Sequence, residues 1–116
     1  MKVRQAASLM GARVNDLSAA LFDNEIEDFS IDSRSTKPGE LFFALSQGDY
    51  VRAGFNGTFA DGHQFIAGAF TGGAIAAVVR ADHFGNEELQ PFRDRLLVVD
   101  DAIVALQTLA RAILSG

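Results

Sequence analysis

The chain has 116 residues, enough for one domain with a single core. Its hydrophobic share of 48% and charged share of 22% are those of an ordinary globular protein, and no apolar run approaches the ~20 residues of a membrane helix. Ten Lys and Arg stand against 15 Asp and Glu, a net charge of −5 with no basic cluster, which argues against nucleic-acid binding; the absence of Cys excludes disulfides and thiolate metal sites.

Residues 4–10 (RQAASLM) form helix readily, with Gly11 as the stop and Ala6, Leu9 and Met10 as a small apolar face. The start, Met1-Lys2-Val3-Arg4-Gln5, lacks signal-peptide character. Residues 15–22 read as either one helical turn or an edge strand. Acidic residues Asp23, Glu25, Glu27 and Asp28 then precede a strand expected over about 26–33. Phe29 and Ile31 alternate there with Ser30 and Asp32, and period-2 counting places Ser33 on the face of Phe29 and Ile31. Two uses of this segment stay open. Ser33 can meet a planar ligand at the end of an apolar face, or Asp32 and Ser33 can bond local backbone while Arg34 pairs with a carboxylate.

Lys37-Pro38-Gly39-Glu40 is turn chemistry, Pro fixing φ at the first central position and Gly tolerating φ > 0 at the next. Residues 41–45 form a continuous apolar run, as in a strand covered on both faces. Residues 46–60 (SQGDYVRAGFNGTFA) read as a long Gly-punctuated loop whose Tyr50, Phe55 and Phe59 either contact a ligand or cover the sheet edge. A helix is expected over 61–71, with Asp61 as N-cap and Phe65, Ile66, Ala69 and Phe70 on its buried face. His63 has no second His or Cys at ligand spacing, so no metal site is expected there.

Gly72-Gly73 ends that helix, and residues 75–79 predict a buried strand parallel to the one before it. Residues 82–95, with Pro91, predict a short surface helix and turn, followed by a strand over 96–99. Asp100 and Asp101 suit the N-cap of a final helix to about Leu114, where Ile103, Leu106, Ala110 and Ile113 repeat at helical spacing. The class is therefore α/β, a small mixed sheet of four to five strands flanked by helices, in a single domain over 1–116.

The run SIDSRSTKPGELFFAL over 30–45, then Asp61-Gly62-His63-Gln64-Phe65-Ile66, Gly73-Ala74 and Ala76-Ala77-Val78-Val79, resembles the amino-terminal domain of the Mur ligases, enzymes that build the peptide stem of the bacterial cell wall. The similarity runs in order over about residues 26–113. It implies a cytoplasmic ATP-dependent ligase whose first domain anchors the uridine nucleotide of a UDP-N-acetylmuramoyl-peptide precursor. By position Ile31 and Ser33 match nucleotide contacts, Thr58, Phe59 and Ala60 match a loop triplet, and Arg34 is a candidate for the diphosphate, with an internal ion pair as its alternative. Within the family, the Asp-Gly-His run and the long aromatic loop lean towards the ligase that adds D-alanyl-D-alanine. The sibling adding the third stem residue is the alternative, and a free-standing α/β interaction domain is a third reading.

A ligase of this family needs a Gly-rich loop ending in Gly-Lys-Ser/Thr to cradle ATP and its magnesium. The only lysines, Lys2 and Lys37, follow no such loop. The sequence thus predicts a precursor-binding first domain, without catalytic residues or cofactor of its own, whose parent carries the ATP-binding domain separately. Alone it is expected to be inactive.

Overall fold

The computed structural model describes residues 1–52, 54 and 65–115, with the side chains of 47, 52, 114 and 115 left aside. Its centre is a four-stranded sheet in the order β1 (Asp28–Ser30), β2 (Glu40–Phe43), β3 (Ala76–Arg80), β4 (Leu96–Val99). All three ladders are parallel, pairing Phe29 with Leu41, Phe42 with Ala77 and Val78 with Leu97. Among the described residues the antiparallel pairings are two isolated bridges, Lys2 with Glu25 and Arg13 with Val98. The latter caps the outer edge of β4 through Arg13 N–H to Val98 O at 2.7 Å and Val98 N–H to Arg13 O at 3.0 Å.

Continuous apolar runs make buried strands because both faces are covered. Every residue of β2 and of β4 is buried. On one face Leu41, Phe43, Ala76, Val78, Leu97 and Val99 pack against α1 (Val3–Met10) and α4 (Ala102–Ser115). On the other, Phe42, Ala77, Val79, Leu96 and Val98 meet α3 (Ile66–Thr71) and Leu89 of the 3-10 segment Glu87–Arg95. Each fully buried Phe or Leu contributes about 1.5–3 kcal/mol, so these two faces hold the domain together.

The expected helix over residues 4–10 forms, closed by Gly11 at φ 65°. Its buried residues are Val3, Ala6 and Ala7, whereas Leu9 is exposed. Residues 15–22 resolve to a 3-10 turn, Ala19–Leu21. In α4, Asp101 Oδ1 accepts the N–H groups of Ile103 and Val104 at 3.0 and 3.1 Å, the N-cap expected of an Asp there. The face turned to the sheet is Ala102, Ala105 and Leu109, and the stripe Ile103, Leu106, Ala110, Ile113 runs beside it, with Ile113 exposed. Small residues won because the alanines of α1 and α4 allow close approach.

The turn at Lys37–Glu40 has the type II signature: Glu40 N–H bonds Lys37 O at 3.2 Å, and Gly39 has φ 86°. It docks on the end of α3, Gly39 N–H reaching Gly73 O at 3.0 Å. Gly73, at φ 107°, lies so close that an added Cβ would stand 2.6 Å from Pro38 Cα. The helix expected over 61–71 begins at Ile66 among the described residues, and Asp61, His63 and Gln64 lie outside them. Ile66 and Ala69 are buried as expected, but Phe65 is 42% exposed.

Candidate functional site

In parallel α/β sheets ligands bind beyond the carboxyl ends of the strands, where loops converge on a rigid base. Here that edge gathers the turn after β1, the start of α2 (Gln47–Arg52) after β2, and Arg80 at the end of β3.

The strand expected over about 26–33 stops at Ser30, because Asp32 supplies a competing set of local hydrogen bonds. Its Oδ1 accepts the Arg34 N–H at 2.9 Å. Its carbonyl accepts the Ser35 N–H at 3.2 Å and the Thr36 hydroxyl at 3.0 Å. Thr36 is itself buried and lies 3.0 Å from the Ser30 hydroxyl, tying the turn back to the strand. Ser33 therefore sits in a turn rather than on the strand face, and Ile31 is 43% exposed. The Ser33 side chain faces α3, whose Gly68 would place an added Cβ 3.7 Å from Ser33 Oγ.

Arg34 forks onto Asp32, with Nε to Oδ1 and Nη2 to Oδ2 both at 3.1 Å. That hydrogen bond, followed by the Arg34 backbone amide, holds the Asp32 carboxyl below its ordinary range. The pair is largely solvated, so Arg34 can exchange this partner for another at small cost. Of the expected site residues, the fold brings Ile31, Ser33 and Arg34 into one turn; Thr58, Phe59 and Ala60 lie outside the described residues.

Sequence reasoning missed the most buried polar group here. Residues 46–60 were expected as loop, yet Ser46 and Asp49 start α2 by capping each other. Asp49 Oδ2 accepts the Ser46 N–H at 2.8 Å and its hydroxyl at 3.0 Å, while the Asp49 N–H reaches Ser46 Oγ at 3.2 Å. Asp49 is fully buried, and its Oδ1 meets Arg80 Nη1 at 3.3 Å. Arg80 Nε is buried 3.3 Å from Asp82 Oδ1 without hydrogen-bond geometry. The signal was present: Ser-x-x-Asp is a capping pattern, and a charge closing an apolar strand needs a partner. Beside Asp49, burial first and then the Asp32 and Asp49 charges push the Tyr50 phenol above its ordinary ionisation range.

A separate cleft of about 200 Å³ lies at the β4 edge among Arg13, Asn15, Asp16, Phe84, Leu96 and Val98. It falls below the ~300–1,000 Å³ usual for small-molecule sites. Among the described residues no three His, Asp or Glu side chains converge as a metal site would require, and no helix is long and apolar enough to cross a membrane.

No protein-family profile matches the sequence, and no curated protein matches it either. Solved structures do. The architecture is shared with two crystal structures of MurF from Acinetobacter baumannii, at 22% and 23% identity and TM-scores of 0.59 and 0.60. A third, titled UDP-N-acetylmuramoylalanyl-D-glutamyl-2,6-diaminopimelate--D-alanyl-D-alanyl ligase from the same organism, matches at 22% and 0.58. Each match covers 93% of this chain and 20% of the other. At this identity the likeness is one of fold, and the chain spans about a fifth of the length of the proteins it matches.

Proposed function

We propose that this chain is the precursor-binding amino-terminal domain of a peptidoglycan-precursor ligase of the Mur type. The parent would join D-alanyl-D-alanine to UDP-N-acetylmuramoyl-tripeptide in the cytoplasm, and this domain would hold the uridine nucleotide end. The single observation that carries the reading is that the fold, over 93% of the chain, coincides with part of MurF. The resemblance of residues 30–45 to that family supports it independently. So does the turn at Ile31, Ser33 and Arg34, which puts an exposed apolar side chain, a hydroxyl and an exchangeable guanidinium at the carboxyl edge of the sheet. Anchoring the nucleotide would supply orientation, worth several kcal/mol of barrier without a catalytic group. Thr58, Phe59 and Ala60 belong to the proposed contact set by the same resemblance.

The residues present do not fit ATP. Lys2 sits at the start of α1, its backbone N–H bonded to Gln5 Oε1 at 2.8 Å, and Lys37 opens the type II turn. Neither belongs to a phosphate loop, so ATP and magnesium fall to the ATP-binding domain of the parent, which is a second partner in this reading.

Titration with UDP-N-acetylmuramic acid, followed by amide NMR, tests the proposal. Dissociation constants of about 0.1–1 mM, equivalent to roughly 4–6 kcal/mol, are expected of one domain acting alone. Amides of residues 31–34 and 46–63 should shift. Saturating shifts confined to α4, or none at all, would refute it.

A further inference from the structure

The outer edge of β4 is covered by residues 13–18, which are tied to it at two places. Arg13 exchanges both backbone bonds with Val98, at 2.7 and 3.0 Å, and Ser18 N–H reaches Asp94 O at 2.8 Å. Between these ties the covering segment leaves the strand. Leu17 N–H bonds Val14 O at 3.0 Å, closing a turn over Asn15 and Asp16. The cleft of about 200 Å³ opens between that turn and Leu96, with Phe84 as a further wall.

A strand turns the N–H and C=O of successive residues alternately to one neighbour and the other. Val98 turns them outward to Arg13, and Leu96, two positions earlier, turns them the same way, with Leu97 between them facing Val78 of β3. Leu96 is only 1% exposed, yet among the described residues its N–H and C=O have no hydrogen-bond partner. Orphaned backbone groups at a buried position are rare, because they lose their bonds to water without replacement. Nor does the rim favour a charged ligand. Arg13 pairs with Asp100 at 2.9 Å and Arg93 with Asp16 at 3.0 Å, so an ion would have to break a pair, whereas a neutral group leaves both intact. The volume is below that of a drug-sized ligand, and the ties at Val98 and Asp94 stop a long strand from running through. One residue of extended peptide meets these constraints. Its C=O accepts the Leu96 N–H and its N–H donates to the Leu96 C=O, the exchange that Arg13 already makes with Val98. We propose that the β4 cleft is a binding site for a short, uncharged peptide held by this pairing, with an apolar side chain against Phe84. The site lies three strand spacings, roughly 14 Å, from β1, and it does not depend on the precursor-binding reading.

Amide NMR of the wild-type chain tests it with N-acetylvaline N-methylamide, whose β-branched residue favours the extended form. Saturable shifts are expected at Leu96, Asn15, Asp16 and Phe84, with the Leu96 amide proton moving downfield and exchanging more slowly with solvent. Two analogues examine the pairing and the charge. Replacing the valine N–H by an ester oxygen leaves the Leu96 C=O without a donor and should weaken binding about 3- to 12-fold, the value of one hydrogen bond. N-acetylvaline, which carries a carboxylate, should bind no more tightly than the neutral probe. Absence of saturable shifts at Leu96, or shifts confined to residues 31–34, overturns the site and leaves the cleft to ordered water only. An ester that binds within twofold of the amide overturns the pairing with Leu96, and tighter binding of N-acetylvaline overturns the choice of a neutral ligand in favour of an anion on Arg13.

Discussion

Ser33→Ala separates ligand contact from fold maintenance at the centre of the candidate site. The turn around Ser33 is held by Asp32, which accepts from Arg34 N–H at 2.9 Å, Ser35 N–H at 3.2 Å and Thr36 Oγ1 at 3.0 Å. None of these bonds uses the Ser33 hydroxyl. Alanine keeps the Cβ, which with Oγ stands 3.7 Å from the position a Gly68 Cβ would take, so the change neither opens a packed cavity nor creates a clash. Removing a hydroxyl from such a position costs within about 0.5 kcal/mol, a melting shift of roughly 2 °C for a domain of this size. If the hydroxyl bonds the nucleotide, affinity should fall by about 1 kcal/mol, close to fivefold. Thermal denaturation by circular dichroism and calorimetric titration with UDP-N-acetylmuramic acid, on the same preparation, give both quantities. A melting loss of several degrees with affinity intact would refute the reasoning, because Ser33 would then be bonding the fold rather than the ligand.

Gly73→Ala should destabilise the domain by about 2–4 kcal/mol in urea unfolding, since φ 107° strains any Cβ and the backbone of Pro38 cannot yield. Gly11→Ala, at φ 65° with open space around it, should cost only about 1 kcal/mol; equal losses would mean that the Pro38 contact is not tight. Arg34→Ala should raise the Asp32 titration midpoint, read by carboxyl NMR, but leave it below 3.8 because the residue 34 backbone N–H is retained. A depressed carboxyl contributes its stability above the unfolded pKa and loses it as pH falls through the folded value. The Asp32 contribution therefore fades only in acid below 3.8, and an unmoved midpoint in Arg34→Ala would show that the ion pair does not set it.

Strand identity was legible locally. Residues 41–45, 75–79 and 96–99 are apolar runs too short for helices and flanked by turn residues, and burial on both faces leaves such runs few alternatives. The Pro38-Gly39 turn, the Gly11 stop and the Asp101 cap are equally local, because each depends on one residue's backbone or hydrogen-bonding habit. The family resemblance rested on the order of these same short runs, and the fold agrees with it.

What the sequence alone left undecided depended on residues far apart in the chain. Period-2 counting ran the first strand on to Ser33, but Asp32 offered its own turn a better set of hydrogen bonds, and edge strand β1 has only one neighbour to resist it. In α4 ten of the 14 positions are apolar, and helical spacing picked out Ile103, Leu106, Ala110 and Ile113. The choice fell to Ala102, Ala105 and Leu109 because α1 brings Ala6 and Ala7 to the same side of the sheet. Ser46 and Asp49 could cap a helix on local grounds, yet only the parallel pairing of β2 with β3 brings Arg80 to Asp49. Capping and turn formation are settled within a few residues, whereas a buried charge becomes tolerable only when the folded chain delivers its counter-ion.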